Sequence, residues 1–533
     1  MIPAYKRARL YAGITVTCRY GRSHLRRLLS LKPAGKFLGS KPFFQKGFGG
    51  ETEGAQPSGN ACIRVCNPHY NQKGTKKTMS DFNVIVIGAG PGGYVCALKA
   101  AALGLKTAVV EERDVGGTCL NRGCIPTKAL LHASEVYAEA KGAEAYGVTV
   151  GSCAFDFTKM HEKKSETVAK LRGGIESLFK SAGVTLLRGK GVVEGSGKVR
   201  AGETLYTADS IVIATGSTPA RPPIPGLSQE GVITSDELLE GEATFDESLV
   251  IIGGGVIGVE FASVYARLGC RVTVIEALPR LLARMDKDLS QNLQMLLKKK
   301  GVKVLTDAMV KEIVRDGDGA LTVRYETKGK EGAAQGSRVL VAIGRRPNAA
   351  GLFAPGVEVE TNRGAIVVND RFETSLPGVY AIGDVSSKIQ LAHVASAQGT
   401  VVAEEIAGVA ASVDLSTVPS CIYVSPEIGS VGLIEEEAAE QGYDVKTAKV
   451  MMYANGKTLI VGGERGFMKL VFDGATRRIL GAHLMCERAT DMISEFSAAI
   501  VNGLTVEQMA SVIRPHPTFN EAVSELFEAA ARL

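Results

Sequence analysis

Two cysteines, Cys119 and Cys124, stand five positions apart in "GGTCLNRGCIPTK", which runs from Gly116 to Lys128. Close thiols suit metal ligation, a structural cross-link or reversible dithiol–disulfide exchange. A structural zinc site needs about four ligands, usually gathered as close Cys or His pairs. This stretch has one pair, with no second pair and no His cluster nearby, so no metal is expected. The ten cysteines, at 18, 62, 66, 96, 119, 124, 153, 270, 421 and 486, follow no regular framework. A large chain of this kind belongs in a reducing compartment, where a close pair means redox or metal work. A structural disulfide stays open there, but a redox-active one explains more. Pro126 suits the first turn of a following helix, "PTKALLHASEVYAEA". The positive dipole end of that helix would favour thiolate at both sulfurs. On one regular helix, residues five apart point about 140° away from each other. A bridge therefore requires an irregular turn around Asn121 and Gly123.

The elements that must carry this pair begin with "FNVIVIGAGPGGYVCALKAAALGLKTAVVE". It reads strand, glycine turn, helix, strand. Val84 to Ile87 are apolar without alternation, as in a parallel strand covered on both faces. The helix carries Val95, Leu98 and Ala102 at helical spacing, which marks them as its inward stripe. Gly88, Gly90 and Gly93 form G-x-G-x-x-G, and Glu111 ends the second strand. The unit recurs in "SLVIIGGGVIGVEFASVYARLGCRVTVIE", with Gly253, Gly255, Gly258 and Glu276 at the same offsets. One such fingerprint is weak, but two complete units predict two dinucleotide sites. Gly88 and Gly253 allow the tight turn, Gly90 and Gly255 let a pyrophosphate approach, and Gly93 and Gly258 let helix pack on strand. The helix N-termini face the phosphates, and Glu111 and Glu276 are placed to accept from ribose hydroxyls. A carboxylate at Glu276 repels a 2′-phosphate, so the second site should prefer NAD over NADP. Arg280, four residues on, would weaken that preference unless it is solvated or pairs with a neighbour.

Further along, "SIVIATGSTPARPPIPG" ends a strand at Thr215-Gly216, and "RVLVAIGRRPNAAGL" repeats strand, Gly and Pro. "GVYAIGDVSSKIQLAHVASAQG" sets Asp384 after a strand, where it could meet a cofactor hydroxyl or form a turn. After about residue 418 the texture becomes that of antiparallel strands followed by helices from Ala489 on. The expected fold class is α/β, with two Rossmann-like dinucleotide-binding domains and a separate C-terminal α+β domain. The expected division is 1–79 leader, 80–227 first dinucleotide-binding domain, 228–350 second dinucleotide-binding domain, 351–418 central segment, and 419–533 C-terminal domain.

Charge narrows the function class. The formal net charge is +6, yet residues 1–80 hold fifteen Lys/Arg against two acids, a balance of +13. The other 453 residues therefore carry −7, which removes the electrostatic case for nucleic-acid binding. No run approaches the ~20 apolar residues of a membrane span. The leader, basic and nearly free of acid, has the composition of an organelle transit peptide, which would place the protein in a mitochondrion or another organelle matrix. The rival reading takes Met79 as the true start in a bacterial reading frame, with a cytoplasmic protein.

The cysteine stretch resembles the active-site segment of the flavoprotein disulfide reductases, and within them the dihydrolipoyl dehydrogenases. The resemblance spans residues 82–533 and includes both fingerprints, "ATGS", "AIGRRPN", "AIGD" and "HPTFNEA". It implies FAD on the first unit, 80–227, with 351–418 completing the FAD site, NAD on the second, 228–350, and a dimerisation (interface) domain at 419–533. It implies Cys119 as the sulfur that exchanges with substrate, Cys124 as the flavin-side sulfur, and Lys128 near the flavin, paired with Glu260. It matches Gly191, Thr215, Gly216, Ser217 and Asp384 to FAD-contacting positions, and Gly344 to a position near the nicotinamide nucleotide. His516 resembles an acid–base residue supplied by the partner subunit of a homodimer, with Glu521 holding its imidazole. The implied partners are lipoyl domains of 2-oxoacid dehydrogenase complexes or the lipoylated carrier of glycine cleavage. Glutathione-reductase-type relatives look for basic residues where this chain has "VIEALPRLL". Mercuric and large thioredoxin reductases use C-terminal cysteines, whereas the last cysteine here is Cys486. A docking subunit with lost catalysis is opposed by the presence of Cys119, Cys124, His516 and Glu521. One departure is Arg122 in "CLNRGC", where a small or apolar residue is frequent; its direction is not readable from sequence.

Overall fold

A computed structural model describes residues 80–317 and 319–533. The expectations for the leader and for a start at Met79 lie outside the described residues.

The first fingerprint strand, Phe82–Ile87, pairs in parallel with Thr107–Glu111 and with the end of Thr204–Ile213. Thr185–Arg188 extends the sheet on one side. Val379–Ala381, from far along the chain, joins the other side in parallel with Ile211 to Ile213. Alternate residues serve two cores. Val84 and Val86 pack among helices, while Ile85 and Ile87 pack beneath a small antiparallel sheet built from Gly191–Gly195, Lys198–Ala201 and the start of Thr204–Ile213. Both faces are covered, which is why the strand is apolar without alternation.

The second unit repeats this plan. Ser248–Ile252 lies between Arg271–Ile275 and Arg338–Val341, with Lys303–Leu305 and Val232–Thr234 at the edges, all in parallel. Leu249 and Ile251 face helices. Val250 and Ile252 face a three-stranded antiparallel sheet, Ala308–Arg315, Leu321–Thr327 and Lys330–Gly336. From Ser420 the chain builds a five-stranded antiparallel sheet. Alternation along Phe467–Asp473 is two-sided. Met468, Leu470 and Phe472 meet the C-terminal helices, while Phe467 turns to the core of the second unit.

One sequence expectation is corrected. The buried stripe of the first fingerprint helix, Pro91–Ala102, is Gly92, Gly93, Cys96, Ala97 and Ala100; Leu98 packs at its edge, Val95 is half-buried and Ala102 is exposed. Small residues face in because helix Ala392–Ile406 crosses there at close range. A Cβ added at Gly399 would lie 2.4 Å from the Gly92 carbonyl oxygen.

Candidate functional site

Both fingerprint turns close in the same way. Gly88 has φ +100° and Gly253 φ +112°, and a Cβ on either would lie 2.4 Å from a carbonyl oxygen, of Ala214 and Ala342 respectively. Gly93 and Gly258 sit where a Cβ would come within 1.9 and 2.0 Å of the Gly88 and Gly253 oxygens. By contrast, a Cβ at Gly255 would meet nothing within 4 Å, and one at Gly90 only the Gly117 Cα at 3.9 Å. The outer glycines thus pack helix on strand, and the middle ones leave the backbone open to a ligand, as a bound pyrophosphate requires.

The two acids are held alike. Glu111 Oε2 accepts from Ala89 N–H at 2.7 Å and Oε1 from Arg113 N–H at 2.8 Å. Glu276 Oε2 accepts from Gly254 N–H at 2.6 Å and Oε1 from Leu278 N–H at 2.7 Å. Each carboxylate oxygen keeps lone-pair capacity for a ribose hydroxyl. Arg280 does not approach Glu276; it donates to the carbonyls of Ala283 and Met285 and so braces its own loop.

The cysteine stretch folds as two helices, Gly117–Arg122 and Cys124–Gly142, broken at Gly123 with φ −143° and ψ −113°. This break supplies the irregularity that the spacing demands. It also corrects the expectation for the dipole, because Cys124 alone opens the long helix while Cys119 lies in the short one before it. The short helix rests on the first fingerprint turn, where Gly116 N–H donates to the Ala89 carbonyl at 2.8 Å. Cys119 and Cys124 are free thiols here and lie within hydrogen-bonding reach of each other. The bond from Cys119 pulls the Cys124 thiol down to about 7, against burial and with help from the Lys128 ammonium. The same bond, with burial, holds the Cys119 thiol up.

Lys128 Nζ lies 2.9 Å from Glu260 Oε2 on helix Val256–Arg267, which ties the first unit to the second. A single cleft of about 2220 Å³ takes in Gly88, Gly90, Glu111, Cys119, Cys124, Lys128 and Gly191. Thr215, Gly216, Ser217, Gly253, Gly255, Glu260, Glu276, Gly344 and Asp384 line it too. Ligand pockets usually run to about 300–1,000 Å³, so this space suits two dinucleotides rather than one. Gly93 and Gly258 pack behind it. His516 and Glu521 do not line it: the His516 side chain is 79% exposed, with Nδ1 2.7 Å from Glu521 Oε1. Thr518 N–H, ahead of the His516 bond, lowers the Glu521 carboxyl and keeps it ionised.

Residues that the sequence reading did not single out complete the site. Arg345 donates to Ser217 Oγ and to the Ser217 carbonyl, each at 2.7 Å, and Ser217 Oγ donates to Asp384 Oδ2 at 2.6 Å. Asn348 pairs with Thr215 in both directions. These contacts join the "ATGS" and "AIGRRPN" loops, which the sequence marked by a repeated strand–Gly–Pro texture and by the family resemblance, but without pairing Arg345 or Asn348 to a partner. Tyr423 also reaches the cleft, with nothing in its local sequence to mark it. Arg122 turns away from the sulfurs and binds Glu240 at 2.8 Å and Asp114 at 3.3 Å.

Residues 82–399 match the model of the pyridine nucleotide-disulphide oxidoreductase family, and residues 418–527 match its dimerisation domain. The chain belongs to this family. Among curated relatives of this oxidoreductase, a dihydrolipoyl dehydrogenase of Bacillus subtilis is 40% identical over 85% of this chain and 98% of its own. The dihydrolipoyl dehydrogenase of Thermus scotoductus is 42% identical, with the same coverage. Among solved structures, the HOCl-induced flavoprotein disulfide reductase RclA from Escherichia coli superposes with a TM-score of 0.74 at 29% identity, over 84% of this chain and 99% of that one. Among the described residues of this family member, no helix is long and apolar enough to cross a membrane.

Proposed function

We propose that this oxidoreductase is a dihydrolipoyl dehydrogenase, which oxidises protein-bound dihydrolipoamide and reduces NAD. The observation that carries the reading is the Cys119–Cys124 pair in a cleft shared by two glycine cradles. The cradles fit the two cofactors: open backbone at Gly90 and Gly255, an acid at the end of each second strand, and room for both. Bound FAD would accept the electron pair of the dithiol and hand it to NAD.

The residues of the chain manage the sulfur chemistry. A lipoyl thiolate attacks Cys119 Sγ of the oxidised pair, and the S–S bond breaks to release Cys124 as thiolate. The second lipoyl thiolate attacks the lipoyl sulfur of the mixed disulfide, closing the lipoyl ring and freeing Cys119. Two electrons reach the cysteine pair; one proton returns to Cys119 and the other is taken by His516 of the partner subunit. A base is needed because only thiolates attack disulfides. Glu521 on Nδ1 leaves Nε2 of His516 to meet the thiol. Lys128, clamped by Glu260, supports the Cys124 thiolate.

Glu276 supports NAD over NADP, and lipoyl-bearing domains of a 2-oxoacid dehydrogenase or glycine cleavage system are the expected partners. A steady-state assay of the purified protein separates this reading from a glutathione-type reductase. Turnover of dihydrolipoamide with NAD supports it; turnover of glutathione disulfide with NADPH alone overturns it.

A further inference from the structure

Lys128 is held by more than Glu260. Its Nζ lies 4.7 Å from the centroid of the Tyr423 ring. Tyr423 follows strand Ser420–Ile422, so it comes from the antiparallel C-terminal domain. The main-chain N–H of the same residue donates to Glu260 Oε1 at 3.0 Å, while Glu260 Oε2 takes Lys128. The carboxylate is therefore bonded on both oxygens, and its side chain is only 3% exposed. The ammonium is bracketed by a carboxylate from the second unit and an aromatic face from the third domain. Cys124 and Lys128 are four apart on one helix, so their side chains share a face.

We propose that Tyr423 is a positioning residue of the redox centre, whose ring face holds the Lys128 ammonium in place beside Cys124. The inference rests on the reading of Cys124 as the flavin-side thiol. The groups that act on Cys124 are Cys119, Lys128 and Glu260. Lys128 also faces Cys421, on the strand that Tyr423 follows. Lys128 is the one cation among them, so its placement governs how far the thiolate is stabilised. A lysine has a long flexible stem and a strongly hydrated head. The Glu260 bond fixes one side of that head. An aromatic face within 6 Å attracts a cation and excludes water from another side. Without the ring the ammonium swings and hydrates, its average field at Cys124 Sγ falls, and the thiol holds its proton to higher pH. The hydroxyl of Tyr423 has no part in this, and the main-chain bond to Glu260 survives any side-chain change.

The test is a titration of the FAD-loaded protein in a Cys119→Ser background, where Cys124 is the remaining thiol of the pair. The long-wavelength absorption of thiolate against oxidised flavin is followed with pH. Tyr423→Phe should keep the midpoint of its parent. Tyr423→Leu should raise it by roughly 0.5–1 pH unit, the size of a lost cation–π contact converted at 1.36 kcal/mol per unit. Tyr423→Met, unbranched and close to the ring in length, should do the same and serves if the Leu variant does not fold. Iodoacetamide alkylation of Cys124 in the same holoproteins gives the midpoint independently of the absorption. Leu and Met variants that keep the parent midpoint overturn the proposal, as does a Phe variant that shifts like Leu. A Cys119→Ser parent with no thiolate absorption at any pH overturns the assignment of Cys124, and this inference with it.

Discussion

Cys119 and Cys124 are the same residue type in the same cleft, and their surroundings make them different. Cys124 opens a 19-residue helix, four positions before Lys128, while Cys119 donates the hydrogen bond that favours its thiolate. Replacing Cys124 by Ser should therefore abolish both dithiol oxidation and the thiolate–flavin absorption of the two-electron-reduced enzyme. Replacing Cys119 by Ser should abolish turnover but show the absorption before any reduction, because the flavin-side sulfur already stands as thiolate against oxidised flavin; two electrons should then bleach it, and reductive titration in a spectrophotometer checks both variants. The same logic applies at Glu276. Glu276→Gln removes the charge that repels a 2′-phosphate and leaves one oxygen to serve two N–H donors, Gly254 and Leu278. Exposed Arg284 lines the same cleft and is then a cation open to the phosphate. NAD should lose about 1–3 kcal/mol in kcat/KM relative to NADP. Steady-state kinetics with both nucleotides decides it, and equal use of the two by the unmodified enzyme would already contradict the role.

The elements were legible where a constraint is local in the chain. A tight turn needs Gly88 or Gly253, a ribose needs an acid at the end of the next strand, and a five-residue cysteine spacing needs a break, which Gly123 makes. The contacts that join elements were not legible, because pairs such as Arg122–Glu240 stand 118 residues apart and no period of the sequence links them. Lys128–Glu260 could be anticipated only through a resemblance, and Tyr423 not at all. The helix stripe was misjudged for a related reason. Large apolar residues mark burial against loose neighbours, whereas a close helix crossing selects Gly and Ala. Arg122 shows how such a cross-link behaves. Its guanidinium fastens the cysteine helix to Glu240, at the end of helix Ser235–Glu240, where Arg113 and Lys164 also arrive. Cations there complement the negative end of the helix dipole. Breaking a buried ion pair costs about 3–5 kcal/mol when it strands a charge. Here Asp114 keeps Arg172 and Glu240 keeps Arg113. Arg122→Val should thus cost only about 1–2 kcal/mol, seen as a modest fall in denaturant midpoint with the cysteine chemistry intact. A loss near 5 kcal/mol would show that the remaining partners do not compensate.

At the scale of the molecule, each group that the proposed mechanism uses has a place in the cleft of this chain except the base. The sulfurs, Lys128 and both cradles share one cleft, whereas His516 stands outside it, exposed and held at Nδ1 by Glu521. On the proposed reading, the base that reaches the lipoyl thiols at Cys119 comes from a second copy, in a family whose C-terminal domain is a dimerisation domain. His516→Ala should slow dithiol oxidation by about 10²–10⁴-fold, the usual range for a positioned acid–base group, with hydride exchange between NADH and flavin spared. Mixed dimers separate a shared site from one complete in each chain. Homodimers of Cys119→Ser should be inactive in dithiol oxidation, and those of Cys119-intact His516→Ala slowed to that residual level. In a heterodimer, the His516→Ala chain supplies both cysteines and the Cys119→Ser chain supplies His516, so one of the two sites is whole. After subunit exchange of an equal mixture, half of the dimers are mixed and about a quarter of all sites recover, given a two-fold interface in which each chain completes the other. Dithiol oxidation should rise to that level as exchange proceeds. If His516 served its own chain, every site in the mixture would still lack either Cys119 or His516, and the activity would stay flat.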